Sequence, residues 1–403
     1  MIPVEGARLA PEPRASVAAG RPAAGPDVRD RFPALASGAA FFDAPSGTQV
    51  PGAVIAAMAG YLERHNANVG GFYETSRFSG ELIGTAHAAA ARFVGGAPEE
   101  TIFGPNMTTL NFALTRALGR ELSRGDEVVV TELDHDANIS PWLQLAEDIG
   151  LAVKVARVHD DCTLDMDHLA SLLGPRTRVV AFPWASNTVG TIVDVARVAE
   201  LAHGVGALAW VDAVHYAPHG PIDARAAGAD VLLCSPYKFF GPHAGLAWAR
   251  RELLERLRPY KVRPAGKRTL GSRFETGTRS HEALAGFVAA VEYIASVGWP
   301  AIRAWERELA RDFLEGLAAR PHLRLWGLPA VEGRVATFAF TSQRETPSRL
   351  AARLGRERLY VGHGNFYAVE IVRRLGLEPE GFVRAGFVHY NALAEVQRLL
   401  EAL

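Results

Sequence analysis

The chain has 403 residues, 48% of them hydrophobic, with 43 basic against 44 acidic residues and two cysteines. That is enough apolar material for a sizeable core and more than one domain, and the balanced charge gives no electrostatic ground for expecting nucleic acid or an anionic membrane as partner. No apolar run is long enough to span a bilayer, and Cys162 and Cys234 form neither a disulfide framework nor a CxxC metal clip, which fits a reducing, cytoplasmic setting.

Residues 1–27 are rich in Ala, Pro, Gly and Arg and lack the apolar segment of a secretory signal or the amphipathic pattern of a transit peptide. They read as an arm, free or packed on a partner subunit. Residues 82–95 are Ala-rich and helix-like, and Asp126–Thr131 is a short β-branched run. Then come a helix over 142–150, a strand over 152–158, a helix over 164–173, a strand over 178–183, a helix over 195–204 and a strand over 207–212. Val231–Cys234 and Gly245–Ala249 are two more apolar runs. Continuous apolar strands separated by helices predict an α/β domain with a mostly parallel sheet covered on both faces. From Lys261 the pattern changes to a helical stretch over 282–318, a strand over 334–340, a helix over 347–355, a strand over 382–388 and a closing helix over 393–403. This α+β pattern predicts a smaller second domain. The expected division is an arm (1–27), a large domain (28–262) and a small domain (263–403), with residues near the N-terminus able to pack on the small domain.

In such sheets ligands bind beyond the carboxyl ends of the strands. Asp134, His135, Asn187, Asp212, His215 and Lys238 all fall just after predicted strands. Lys238 follows the apolar run 231–234 among bulky aromatics, where desolvation lowers an ammonium pKa and frees a nucleophilic amine; a lysine snorkelling from a strand end fits the same local sequence. Asp212 ends another apolar run. It suits a pyridine nitrogen, whose protonation makes the ring an electron sink, although taken alone such a residue more often caps the next element. Gly104-Pro-Asn-Met-Thr-Thr109 leads into an apolar helix, whose free N–H groups suit a phosphate or ordinary capping.

Taken in order, these pieces resemble the class V branch of the fold-type I pyridoxal 5′-phosphate (PLP) enzymes, the cysteine desulfurase and selenocysteine lyase group. The resemblance runs from Phe41 to the C-terminus. Asp134–Asn138 through Trp142 is similar to the family's histidine segment, and Ser186–Thr191 to its Ser-Asn-x-x-Gly segment. The runs HDAN, VDAVHYAPH and SPYKFFGPH resemble a cysteine desulfurase-like subgroup more closely still. The resemblance implies a large domain with a seven-stranded type of sheet between helices. It implies that Lys238 holds PLP as a Schiff base and shuttles protons at the substrate Cα, that Asp212 pairs with the ring nitrogen and that His135 stacks on the ring. Asn187 and His215, the latter often Gln in similar enzymes, would contact the phenolic oxygen. Met107, Thr108, Ser235 and Tyr237 (often His) would hold the phosphate, with Thr278 reaching the phosphate of a neighbouring subunit in a homodimer with shared sites. Arg384 would grip the carboxylate of an amino-acid substrate through its guanidinium fork, although a surface ion pair is the other common use of such a residue.

The resemblance breaks at Val361–Ala368, where the desulfurases carry a mobile cysteine and this chain has none. Cys234 lies within a predicted buried strand and Cys162 between acids, so neither is suited to carry a persulfide. That leaves chemistry PLP and one lysine perform unaided. Carbon–sulfur β-elimination on cysteine or an S-substituted cysteine leads, with transamination, epimerisation and decarboxylation as alternatives. Asn365 and Phe366 of this loop, with Tyr73, are the remaining substrate-side candidates; Phe72, Tyr73, Phe366 and Tyr367 face either the substrate or a dimer interface. Tyr360 stands near the position of a second substrate arginine in the desulfurases. A metal hydrolase built on Asp134, His135, Asp136, Asp212, His215 and His219 would leave Lys238 unused, and no metal is expected. A non-catalytic protein of the same fold is the other distant alternative.

Overall fold

A computed structural model describes residues 25–263 and 270–403. Residues 1–24 of the expected arm lie outside the described residues.

The chain enters through a short strand β1 (Ala40–Phe41), then helices α1 (Gly52–Arg64) and α2 (Glu74–Val94), the latter ended by Gly95 in the left-handed region. Strand β2 (Thr101–Gly104) leads into α3 (Met107–Gly119), capped by the Asn106 side chain. Alternation follows: β3 (Glu127–Thr131), α4 (Ser140–Ile149), β4 (Ala152–Ala156), α5 (Met166–Leu172), β5 (Thr177–Pro183), α6 (Val195–Gly204), β6 (Leu208–Asp212), β7 (Val231–Cys234) and β8 (Gly245–Ala249). Helices α7 (Arg251–Arg256), α8 (His281–Val297) and α9 (Trp299–Ala318) connect to β9 (Leu323–Trp326), β10 (Thr337–Ser342), α10 (Pro347–Arg356), β11 (Leu359–Tyr360), β12 (Gly362–Gly364), α11 (Val369–Arg374), β13 (Phe382–Gly386) and α12 (Leu393–Ala402).

Seven strands form one sheet in the order β2-β8-β7-β6-β5-β3-β4. Only β8 runs against the rest, pairing antiparallel with both β7 and β2. Strands β3, β6, β7 and β8 are nearly free of polar residues because helices cover both faces; Val129, Trp210, Leu232 and Trp248 have no exposed surface. Gly245 opens β8 because its α-carbon lies against the backbone of Asn106: an added Cβ would stand 2.4 Å from the Asn106 carbonyl carbon. That close approach seats the start of α3 on the sheet edge.

The smaller C-terminal domain carries an antiparallel sheet in the order β12-β13-β10-β9, with α9 packed on α12 and α10 against its strands. Its core includes Phe313, Phe338, Phe340 and Phe387, and Phe42 from the start of the chain joins it. Strand β1 pairs in parallel with β11, and Arg29 grips Glu395 of α12 with both terminal nitrogens. Helix α8, by contrast, packs on α1 and α2.

Two expected elements differ. The helical stretch 282–318 is two helices, bent by 77° at Gly298, which takes φ 83° and is followed by Pro300 in the first turn of α9. The strand expected from residue 334 starts at Thr337. Arg334 instead turns its guanidinium onto main-chain carbonyls, that of Val189 at 3.1 Å among them, and bridges Thr191. No single helix among the described residues is long and apolar enough to cross a membrane.

Candidate active site

The carboxyl ends of β3, β5, β6 and β7 open on a cavity of about 270 Å³. Lys238 follows β7 in a single helical turn opened by Pro236. Its Nζ donates to the carbonyl of Ser46 at 2.9 Å and to that of Pro45. Burial pulls the amine down to about 7, and the Arg384 charge pushes the same way; Asp212 and Asp43 pull it back up. A lysine in this state is a nucleophile at neutral pH.

Asp212 ends β6, buried. Its Oδ1 accepts the Val214 N–H at 2.9 Å. Among the described residues Oδ2 has no hydrogen-bond partner. Burial raises the carboxyl to about 6, with the Val214 N–H and Lys238 opposing. His135 follows β3. Its Nδ1 accepts the Ala137 N–H at 3.0 Å, so the neutral ring carries its proton on Nε2. Burial, then the Lys238 charge, lowers it to about 4, so it is neutral at pH 7. Its neighbours hold it firmly. Asp134 accepts from the Thr131 N–H, the Thr131 hydroxyl and Asn138 Nδ2, at 2.7–2.8 Å. Asn111 of α3 donates to the Ala137 carbonyl at 2.8 Å and accepts Trp210 Nε1 at 2.9 Å. This buried network ties β3, β6 and α3 together beneath the histidine.

At the other end of the cavity α3 begins. Ser235 Oγ accepts the Met107 N–H at 3.2 Å, and Asn106 Oδ1 accepts the Thr109 N–H at 2.8 Å, which leaves the Thr108 N–H without an intrahelical partner. The Tyr237 ring stacks on His243 with centroids 5.0 Å apart. Across the cavity, Asn187 Nδ2 donates to the Phe366 carbonyl at 3.0 Å, and His215 Nε2 lies 3.0 Å from Thr337 Oγ1.

Arg384 comes from β13 and is buried, not on the surface. Its Nη1 donates to the Asn187 carbonyl and its Nη2 to Ser46 Oγ, each at 2.7 Å; Nε is buried with no partner among the described residues. The guanidinium carbon lies 3.8 Å from the centroid of Phe366. Burial lowers its pKa to about 9, against the pull of Asp43, so it remains a cation at neutral pH. Phe366 and Tyr367 both take left-handed backbone, φ 54° and 58°, a strained conformation for aromatic residues. Tyr367 stacks on His135, centroids 5.3 Å apart.

The cavity thus brings together Met107, Thr108, His135, Asn187, Asp212, His215, Ser235, Tyr237, Lys238, Phe366 and Arg384. Three candidates stand outside it. Asn365 is exposed and its Oδ1 accepts the Tyr367 N–H. Tyr73 is 56% exposed at the start of α2, beside a fully exposed Phe72. Thr278 is exposed in a segment anchored by Glu275, which accepts the Phe103 N–H at 2.8 Å. The structure adds Pro45 and Ser46 to the walls and Asp43 behind them, a buried carboxyl raised by burial and drawn down by Arg384 and Lys238. Their only sequence signal is a Pro-Ser-Gly turn after an apolar run.

Neither cysteine lines the cavity. The Cys162 thiol is pushed up to about 11 by burial and by Asp161, and burial, with Asp212, raises the Cys234 thiol well above its ordinary value. The cavity fits PLP by its chemistry. It offers a neutral-prone amine, an unpartnered carboxylate oxygen, an imidazole face, and N–H and hydroxyl groups at a helix start.

Comparison with known proteins points the same way. The family model described as "Aminotransferase class-V" matches residues 40–399. An aminotransferase-like protein of Gibberella zeae is 32% identical over 393 residues, 94% of this chain and 97% of the relative. A cysteine desulfurase of Haloferax volcanii is 30% identical over 90% of this chain and 88% of its own length. The apo structure of a cysteine desulfurase from Thermococcus onnurineus superposes with a TM-score of 0.88 at 27% identity, covering 93% of this chain and 96% of that one.

Proposed function

This chain belongs to the aminotransferase class-V family and is a PLP-dependent enzyme, and on that premise we propose that it is a carbon–sulfur β-lyase acting on cysteine or an S-substituted cysteine without a protein persulfide. The observation that carries this reading is the substrate-side wall of the cavity: Arg384, Phe366 and Tyr367, with no thiol among its lining residues.

When bound, PLP supplies a sink for the electrons left at the substrate Cα. Asp212 Oδ2 would pair with the ring nitrogen. The Thr108 N–H and hydroxyl, with Met107, Ser235 and Tyr237, would take the phosphate, and His135 would cover the ring. Asn187 and His215 would meet the phenolic oxygen. Lys238 Nζ would hold the cofactor and carry the proton on and off Cα. The Arg384 guanidinium would take the substrate carboxylate. Elimination would break the Cα–H and Cβ–S bonds and form a Cα–Cβ double bond, the proton going to Lys238 and the sulfur leaving as a thiolate; water then releases pyruvate and ammonia, and no enzyme thiol is needed. The enzyme works in the cytoplasm as a homodimer. Thr278, exposed outside its own cavity, serves the partner's phosphate, and the exposed Ile55, Leu62, Phe72 and Tyr73 supply apolar surface for the contact.

The test is to feed cysteine and S-alkyl cysteines to the holoenzyme and identify products by mass. Thiol or sulfide with pyruvate and ammonia is expected. A keto acid that keeps its side chain would replace this reading with transamination, a second reading favoured by the aminotransferase-like relative of nearly equal length. Persulfide trapped on Cys162 or Cys234 would restore the desulfurase mechanism.

A further inference from the structure

Among the described residues, two buried arginines lie against phenylalanine rings. Arg334 and Arg384 are 6% and 3% exposed, and their guanidinium carbons stand 4.3 Å from the centroid of Phe338 and 3.8 Å from that of Phe366. They differ in what their nitrogens meet. All three nitrogens of Arg334 reach main-chain carbonyls, those of Val335, Leu328, Val189 and Thr337. Arg384 gives Nη1 to the Asn187 carbonyl and Nη2 to Ser46 Oγ, while its buried Nε finds no acceptor among the described residues. A buried donor left unmet is costly. Arg334, outside the cavity, is complete as a structural bolt; Arg384, which lines the cavity, still lacks an oxygen.

The chain makes room for Phe366 on this arginine. Gly362 faces Arg384 in the β12–β13 register, and a Cβ there would stand 2.7 Å from Phe366 Cε1 and 3.2 Å from Cζ. The ring therefore lies in space that any other residue at 362 would fill. Phe366 pays for its place with a φ of 54°, which persists only where the surroundings fix it. Asn187 Nδ2 donates to the Phe366 carbonyl at 3.0 Å, and the Asp136 N–H to the Tyr367 carbonyl at 2.7 Å. Asn187 thus grips the arginine with its carbonyl and the phenylalanine with its amide.

We propose that Phe366 is a positioning residue for substrate recognition: seated over Gly362, its ring holds the Arg384 guanidinium in place of an acidic side chain, so that the fork meets the α-carboxylate of the substrate and the site selects amino acids over amines that lack a carboxylate. This rests on the reading of Arg384 as the carboxylate contact. An acid hydrogen-bonded to Arg384 would hold the fork equally well, but it would take the donors the substrate needs. The Asp43 carboxylate acts on Arg384 through its charge, without a hydrogen bond. An aromatic face attracts the cation across its plane and leaves the in-plane N–H groups free. A ring on the face and a carboxylate at the edge can therefore hold one guanidinium together.

The experiment titrates reconstituted holoenzyme with L-alanine and with ethylamine, which is alanine without its carboxylate, and reads binding from the visible absorption of the bound cofactor. Neither ligand carries a sulfur leaving group, so the result does not depend on carbon–sulfur elimination. The parent binds alanine more tightly. Phe366→Leu, and Gly362→Ala, which pushes the ring aside, each lower the preference for alanine about tenfold with ethylamine binding unchanged, and Phe366→Tyr keeps it. Combining F366L with G362A loses no more than F366L alone, because both act through the ring. A ring that merely packs would weaken both ligands alike or neither, and either result overturns the proposal. Arg384→Ala separates the two layers. If R384A loses the preference while F366L and G362A keep it, the proposal falls and the reading of Arg384 stands. If R384A keeps it, both fall. Should F366L not fold, G362A, in which the ring survives, decides.

Discussion

On the side of the large sheet, Asp212 and His135 are fixed close to the strands they follow: Asp212 to the Val214 N–H, His135 to the Ala137 N–H, and the loop beneath it through Asp134, Asn138 and Asn111 to two strands and a helix. On the side of the small domain, the groups are held by main-chain carbonyls and strained turns. Arg384 leans on the Asn187 carbonyl and Ser46 Oγ, and Phe366 and Tyr367 both sit at positive φ. The first wall is preorganised for a molecule that stays; the second is built to exchange what it touches. The difference teaches that a permanent cofactor and a transient substrate ask for different kinds of support, and that one cavity supplies both.

The largest effect should come from the first wall. Lys238→Ala removes the visible absorption of the reconstituted enzyme and lowers turnover by about 10³-fold or more, read by spectrophotometry and product mass. Retained colour and turnover would strip the sheet wall of its special status. Arg384→Ala lowers kcat/KM by about 10²-fold through loss of a charged hydrogen-bond pair, and Arg384→Lys restores little because the fork is gone. Steady-state kinetics of both variants check this, and a fully active R384K would mean the carboxylate binds elsewhere. A third test compares the walls in stability. Asn111→Ala strands the buried Trp210 N–H and costs about 2–3 kcal/mol in denaturant unfolding. Tyr367→Gly loses a ring contact but relieves left-handed strain, and stays within about 1 kcal/mol of the parent. Equal losses would erase the contrast. The smallest effect is on rate against pH. The Lys238 amine, drawn down to about 7, is increasingly protonated below that point, so capture of PLP by apo-protein slows about tenfold per unit below pH 7 and levels off above it. Stopped-flow absorbance measures this, and a flat profile from pH 5 to 8 would place the titration elsewhere.

Much of the first wall was legible in the sequence. Val231–Cys234 and Gly245–Ala249 are strands with the expected bounds because their residues are apolar without interruption. Asp212 stood out because it ends such a run and Lys238 because it follows one closely. Their roles, though, came from the resemblance: local composition alone favoured a snorkelling residue at Lys238, and only its place in the cavity shows how its amine is held. The second wall was harder to read. Carbonyls such as those of Pro45 and Ser46 carry no side-chain signature, so the acceptors of Lys238 Nζ could not be named in advance. Tyr73 and Asn365 stand in loops that could face the substrate, and membership of a loop says nothing of direction; both are exposed and outside the cavity lining.

The pairing of β1 with β11 has a consequence for synthesis. The Pro45–Ser46 turn that receives Lys238 hangs from a strand, Ala40–Phe41, whose one strand neighbour among the described residues is Leu359–Tyr360. Loop closure over so long a span comes late in folding. As the chain leaves the ribosome, the seven-stranded sheet with Lys238 and Asp212 is complete well before that neighbour exists. A nascent chain therefore presents a lysine amine without its receiving wall. The groups suited to the cofactor ring, Asp212 and Lys238, are thus synthesised before Arg384, which stands on one of the last strands.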